Sequence, residues 1–449
     1  MSFPGSFMEH LEGLPGFSLA AFEEAHRSIP PTSIRLNPYK PVSLSYDRSS
    51  VPWSRDGFYL SKRPSFTFDP LFHAGTYYVQ EASSQLLEAF VLPMVQTGEP
   101  LRVLDLCAAP GGKSTHLLSL IRNNDLLVSN EVIRNRTGIL SDNLDKWGNA
   151  NVVVTQADPA VLGKLTGFFD LIVVDAPCSG SGLFRKDAEA MDHWSLSAVE
   201  HCAARQRRIL KDIWPSLKEG GRLLYSTCSF SEAEDEEVVS WMQQEWDIVL
   251  NKIDLPAEWG VVETNYGYRC WPHLIKGEGF FIASVQKMSS ESIFSSRTKI
   301  SIKSQPNAPT AFLGDWWGSD QHELIDWKDM CWAIPSNRMA DIQQVCTVCQ
   351  PYRLGTCLGA WSRKDWIPDH ALALSRYVQP TLPTLELDKE ESVRYLQRGA
   401  IDRAGLERGW LLATFQGKPM GWLKNIGNRM NNYYPSHLRI LKQSVSPDQ

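Results

Sequence analysis

Two cysteines end apolar runs in this chain: Cys178 in "LIVVDAPCSGSG" and Cys228 in "YSTCSFS". A thiolate so placed is a nucleophile. Cysteine is also a common small buried hydrophobe, and that reading suits Cys107 and Cys202. The polar, turn-rich surroundings of Cys178 and Cys228 are not what a core position requires. An unperturbed thiol, with a pKa of about 8.5, is only a few per cent ionised at neutral pH. Ser231 and Glu234 form a Ser-x-x-Glu pattern, which predicts a capped helix N-terminus near Cys228 that would favour its thiolate. These residues alone leave open which thiol attacks.

A second constellation is "VLDLCAAPGGKSTHLL", an apolar run, a glycine turn and a helical pattern. It is one residue short of the phosphate loop G-x-x-x-x-G-K-[ST], with Cys107 at the first glycine position. "LIVVD", ending at Asp175, likewise imitates a nucleotidase metal strand. The competing reading is a nucleoside-cofactor turn. Gly111 and Gly112 would let the backbone approach a ligand, and Asp105 would receive a cationic group. Glu131 and Asp158 follow the next two apolar runs, where acidic groups can meet ribose hydroxyls and a base edge. Helix capping or plain solvation is the structural alternative for both.

Short runs rich in Val, Ile and Leu must position these groups: "LRVLDLCA", "LLVSNEV", "NVVVTQAD", "FDLIVVDAP", "GRLLYSTCS" and later "GFFIASVQK". Helical patterns separate them. One runs from about Leu196 to Leu217 and stops at Gly220-Gly221. This alternation predicts an open α/β sheet with the acidic residues and both thiols at one edge. Residues 1–83 read as a mostly helical N-terminal module and 84–286 as the sheet domain. The Ser-rich stretch 287–309 reads as a linker. Residues 310–449 carry many Trp and read as separate small domains, so a chain cut after about Lys303 is expected to keep cofactor binding.

The chain has 449 residues, 43% apolar and 21% charged, the composition of a soluble globular protein. No secretory signal pattern or membrane-spanning run is evident, and nine scattered cysteines suit a reducing cytoplasm. Net charge is −6, yet the segments 392–449 and 31–64 are basic, which suits a polyanion on part of the surface. The "CTVC" stretch (Cys346 to Cys349) lacks a second CxxC or paired His, so no metal site is expected.

"DLCAAPGGKS", "DAPCSGSG" and "YSTCS" together resemble the RNA cytosine-5 methyltransferases of the Nop/Sun family. "TSIRLNPYK", "GTYYVQEASSQLL" and "RCWPHLIKGEGFFIA" resemble other parts of that family. The tail "GWLKNIGNRMNNYYPSHLRI" is similar to the C-terminal extension of its bacterial ribosomal RNA members. The resemblance implies a class I S-adenosylmethionine-dependent methyltransferase with a Rossmann-like, mostly parallel sheet. It also implies a helical N-terminal RNA-binding module and a PUA-like α+β extension over about 375–449. It makes Cys228 the nucleophile, Cys178 the helper in product release, Asp175 the partner of cytosine N3 and Lys113 an active-site lysine. The cofactor contacts it implies are Cys107, Ala108, Ala109, Pro110, Gly111, Gly112, Lys113, Glu131, Arg136, Asp158 and Asp175. The implied substrate is 16S ribosomal RNA, alone or in the small subunit, with transfer RNA as the alternative. The implied protein is a cytoplasmic monomer, off the membrane. Asn431, Asn432, Tyr433 and Tyr434 are either contacts to unpaired bases or a β-turn with a core aromatic.

Overall fold

The structure, a computed structural model, describes residues 3–186, 188–289, 315–363 and 365–442. Most of the expected linker lies outside the described residues. The chain starts with two short helices, α1 (Gly5–Leu11) and α2 (Leu19–Arg27). Four strands follow: β1 (Thr32–Leu36), β2 (Arg48–Ser50), β3 (Gly57–Leu60) and β4 (Tyr77–Val79), with the short helix α3 (Pro70–His73) before β4. They form an antiparallel sheet in the order β2-β3-β1-β4. The expectation of a mostly helical module is therefore corrected. Its strands are short and turn-separated, and with only three to five residues each they show little periodicity.

After helix α4 (Leu87–Val95) comes the parallel sheet. Its strands are β5 (Arg102–Asp105), β6 (Leu126–Asn130), β7 (Val152–Thr155), β8 (Phe169–Asp175) and β9 (Leu217–Thr227). The intervening helices are α5 (Gly112–Leu120), α6 (Arg134–Trp147), α7 (Pro159–Leu162), α8 (Ala188–His193) and α9 (Leu196–Ile213), with α10 (Glu236–Glu245) after β9. Strands β6 and β7 are buried along their whole length, as sheets covered on both faces require. Further strands are β10 (Ile248–Leu250), β11 (Val262–Glu263), β12 (Tyr268–Cys270) and β13 (Phe280–Lys287). The sheet runs β11-β12-β13-β9-β8-β5-β6-β7, parallel from β9 to β7 and antiparallel at β13. Strand order reverses between β5 and β8, and a crevice opens there at the carboxyl ends of the strands. Helix α9 stops at Ile213, earlier than its apolar pattern suggested, because Pro215 follows and Leu217 already starts β9. Gly220 (φ +73) belongs to an irregularity inside β9 instead of closing a helix.

The remaining chain adds β14 (His322–Trp327), β15 (Met330–Pro335), β16 (Arg353–Leu354), β17 (Thr356–Ser362) and β18 (Asp365–Pro368). Four of them pair antiparallel as β14-β15-β17-β18, but β16 pairs with β7 and extends the parallel sheet. Ile325, Ile334, Ile342, Val345 and Leu354 share one core with Val153 and Ile172. The reading of this stretch as a separate domain is corrected: its helix Met339–Val348 and its strands cover the sheet edge. Finally β19 (Thr384–Glu386), β20 (Gly409–Phe415), β21 (Lys418–Asn425) and β22 (Met430–Asn432) form a small sheet. It packs on the N-terminal module, where the Tyr434 hydroxyl lies 3.2 Å from His73 Nδ1.

Candidate active site

The glycine turn after β5 forms as the N-terminus of α5. Gly111 has φ +115, a conformation that favours glycine, and caps the helix. Asp105 at the end of β5 has no exposed surface. Its Oδ2 accepts from Ser114 Oγ at 2.6 Å, while Oδ1 has no partner. Burial pushes its carboxyl up to about 7. Cys107 is partly buried against the core and its thiol is pushed up, chiefly by burial. Glu131, at the end of β6, is 4% exposed. It accepts from the Ile133 amide at 2.9 Å and faces Arg136 at 3.6 Å. Arg136 also donates to the Ala109 carbonyl at 2.6 Å, which ties the second strand end to the glycine turn. Asp158 is exposed and caps α7, accepting from the Ala160 amide at 3.0 Å. Ala108, Ala109, Pro110 and Gly112 complete the turn.

On the other side of the crevice, Lys113 Nζ lies 2.9 Å from Asp175 Oδ2 and 5.1 Å from the centre of the Phe280 ring. Asp175 Oδ1 accepts from Ser226 Oγ at 2.9 Å, across paired strands β8 and β9. Just beyond those strand ends, Cys178 Sγ and Cys228 Sγ are 3.1 Å apart. The Cys178 thiol is pushed well up by its hydrogen bond to Cys228 and by burial. Either sulfur can be the donor of this contact.

Glu234 holds the two thiol loops together, a role the sequence reading missed. Its carboxylate accepts from the Ser179 amide (2.8 Å), Ser179 Oγ (2.6 Å) and Ser229 Oγ (2.6 Å), and from Gln206 (3.3 Å). The Ser231–Glu234 capping box is thus not formed. Ser231 Oγ meets His10 instead, and α10 begins only at Glu236. Serines on both thiol loops around an acidic residue were the available signal. Gly182 donates its amide to the Cys228 carbonyl at 2.7 Å, and a Cβ there would lie 2.3 Å from that oxygen. A side chain at position 182 would push the loops apart.

The nucleotidase reading fails on this geometry. Ser114, which would face a metal, is fully buried and donates to Asp105. Lys113 is directed to Asp175 instead of to a phosphate cradle. Of the tail residues, Tyr434 is 1% exposed and meets His370 and Tyr395 edge-on, the core-aromatic reading. Asn432 is spent on the carbonyls of Tyr395 and Gly399, and Tyr433 packs on Trp410. Cys331, Cys346 and Cys357 are buried thiols of the C-terminal packing.

A parallel sheet with this strand order, a glycine turn at the switch point and a buried unpartnered carboxylate oxygen define a class I methyltransferase using S-adenosylmethionine. Residues 93–286 match the family model described as 16S rRNA methyltransferase RsmB/F. Residues 3–82 match the N-terminal domain of 16S rRNA methyltransferase RsmF, and 382–440 its PUA domain. "Ribosomal RNA small subunit methyltransferase F" of Shewanella loihica is 30% identical over 413 residues, covering 86% of this chain and 83% of that one. The protein of the same name from Erwinia tasmaniensis is 29% identical, over 97% of this chain and 96% of its own. A methyltransferase homolog from Pyrococcus horikoshii, 30% identical, superimposes with a TM-score of 0.54 over 64% of this chain and 96% of its own. The structure of NSun6 from the same organism shares the fold (TM-score 0.53, 21% identity, 64% of this chain and 99% of its own). The chain belongs to the RsmB/F family of 16S rRNA methyltransferases, with the N-terminal and PUA domains of its F branch. Among the described residues no helix is long and apolar enough to cross a membrane.

Proposed function

We propose that this enzyme methylates C5 of a cytosine in 16S rRNA near the decoding region, acting as a cytoplasmic monomer. The carrying observation is the thiol pair, Cys178 and Cys228 at 3.1 Å, beside the Lys113–Asp175 pair at 2.9 Å. C5 of cytosine is a poor nucleophile until a thiolate adds at C6 and converts the ring to an enamine. Cys228 performs that addition. Cys178, 3.1 Å away, assists the release that follows methyl transfer, when a base takes the C5 proton and the C6–S bond breaks to return the Cys228 thiolate. Asp175 faces N3 with the Lys113 ammonium beside it, so charge developing on the ring is neutralised as C6 is attacked. The target base is turned out of its stack to reach the thiols.

S-adenosylmethionine supplies the methyl on a sulfonium. The turn Cys107, Ala108, Ala109, Pro110, Gly111, Gly112 and Lys113 would hold it, with Asp105 Oδ1 receiving its ammonium, Glu131 its ribose and Asp158 its base edge. Arg136 fixes Glu131 and the Ala109 carbonyl. We assign 1–83 to the N-terminal module, 84–286 together with the stretch from 315 to about 374 to the catalytic body, and about 375–449 to the PUA-like part.

The two thiols are expected to give opposite phenotypes. Cys228→Ala should form no covalent RNA adduct and transfer no methyl. Cys178→Ala should attack, transfer and stall, leaving an RNA complex that survives a denaturing gel. A covalent complex from Cys228→Ala but none from Cys178→Ala would reverse the assignment. Bisulfite sequencing of RNA from a deletion strain reads the target, and methylation confined to transfer RNA would overturn the substrate.

A further inference from the structure

A groove lies between the N-terminal module and the segment that precedes β13. The start of β1 and the end of β3 form one wall, and the loop 272–277 before β13 forms the other. Lys62, Arg63, Arg185 and Lys276 line it, and no Asp or Glu does, on a chain whose net charge is −6. Lys62, Arg63 and Lys276 are exposed. Among the described residues they enter no ion pair, although Arg63 lies over Phe66 and Lys276 over Tyr59, 4.6 Å from the ring centre. Glu278, 4% exposed, is buried behind the lining, where it faces Arg185 and Lys186.

Arg185 joins the two walls. Its side chain is 4% exposed. It donates to the Gly277 carbonyl and to Ser28 Oγ, both at 3.0 Å, and its Nε has no partner. Two of the lining segments lead along the chain to the reacting centre. Arg185 follows Gly182, whose amide holds the Cys228 carbonyl, and Gly277 leads to Phe280 beneath Lys113. At the rim Ile29 is 92% exposed, ahead of Pro30 and Pro31. A large apolar side chain held out by a stiff loop offers a face to one nucleobase.

We propose that this groove holds the single-stranded RNA flanking the target nucleotide, its phosphates against Lys62, Arg63 and Lys276 and one base against Ile29. The proposal rests on the reading that the reacting base lies at Cys178 and Cys228. A base drawn out of its stack leaves its neighbours unpaired, and a cationic channel with an apolar platform is how proteins track such a strand.

The test uses the full chain and 16S rRNA transcribed in vitro, with affinity measured across a salt series. The triple variant Lys62→Gln, Arg63→Gln, Lys276→Gln should bind about tenfold or more weaker at low salt. Its log–log salt slope should flatten by about 2, at roughly 0.7 per phosphate contact on a single strand. Ile29→Ala should weaken binding with the slope unchanged. Thermal stability and S-adenosylmethionine affinity serve as folding controls and should be unaltered. Parental affinity and slope in the triple variant would overturn the groove, as would a lost affinity with an unaltered slope. A Cys228→Ala protein that still forms adducts would instead overturn the catalytic reading, leaving the binding result intact.

Discussion

Asp105 has no exposed surface, and burial pushes its carboxyl up to about 7, against about 3.9 in an unfolded chain. Between these values the folded state binds the extra proton, so this group's contribution to stability falls as pH rises from about 4 to about 7. A bound cation at the unpartnered Oδ1 favours the ionised form. The thermal shift given by S-adenosylmethionine should therefore grow as pH rises from about 6 to about 8. A ligand shift independent of pH would remove Asp105 from the cofactor site. Comparing with and without ligand also cancels the contribution of Asp145, which burial pushes up to about 7 as well. Glu234 acts on the thiols through its charge, since its carboxylate helps raise Cys178. In a Cys228→Ala background, Glu234→Gln should let Cys178 alkylate with iodoacetamide at lower pH. Glu234→Ala should cost about 1–3 kcal/mol by leaving buried hydroxyls unpaired, measured by urea unfolding. The acidic and thiol residues were legible because each follows a strand end. Glu234 was misread because the capping pattern is local, whereas its partners lie on two loops and on helix α9, the farthest 55 positions away.

The catalytic strands were legible because a doubly covered parallel strand is a continuous apolar run, and all six expected runs fold as strands. What stayed hidden was attachment. Arg35 and Lys40 sit in the basic stretch 31–64, which the sequence suggested was a surface for RNA. Both are buried. Arg35 donates to Gln80 (2.8 Å), Ser119 (2.9 Å) and Thr115 (2.7 Å) and lies over Trp147, so β1 is fastened to the cofactor helix α5. Lys40 donates to the carbonyls of Ala74 and Lys146, and burial pulls its amine down to about 7. Charge counted along a chain cannot tell such fasteners from surface cations. Arg35→Met should lower stability by about 2–3 kcal/mol, the scale of lost hydrogen bonds to a charged group, visible as an earlier urea midpoint. Strand β16 was hidden for another reason. Its two residues, Arg353 and Leu354, carry no periodic pattern, and their partner β7 lies some 200 positions earlier. Leu354 is fully buried, and Leu354→Ala should cost about 2–5 kcal/mol, reducing the stability of the catalytic sheet itself.

At the scale of the molecule, a cut after about Lys303 does not release an independent catalytic domain. It strips β16 from β7 and removes Ile325, Ile334, Ile342 and Val345 from the core around Val153 and Ile172. Arg338, which donates to the carbonyls of Asn124 (2.6 Å) and Leu101 (3.3 Å), is lost with them. The truncated chain should lose cooperative thermal unfolding and S-adenosylmethionine binding together; retention of both would restore the picture of separable domains. A cut just before the PUA match at 382 leaves β16 in place and should be milder for the cofactor site. That second cut still uncovers Leu372 and the Trp316–Trp317 cluster, which pack on Trp422. The place of β16 also governs how the protein is made. During synthesis the parallel strands emerge first, and β7 waits with an open edge of three valines and a threonine until Leu354 has cleared the ribosome. A nascent chain paused in that interval presents a ready template for another chain's strand. Chaperone occupancy on translating ribosomes should therefore peak between the emergence of β7 and that of β16, and fall once the edge is closed.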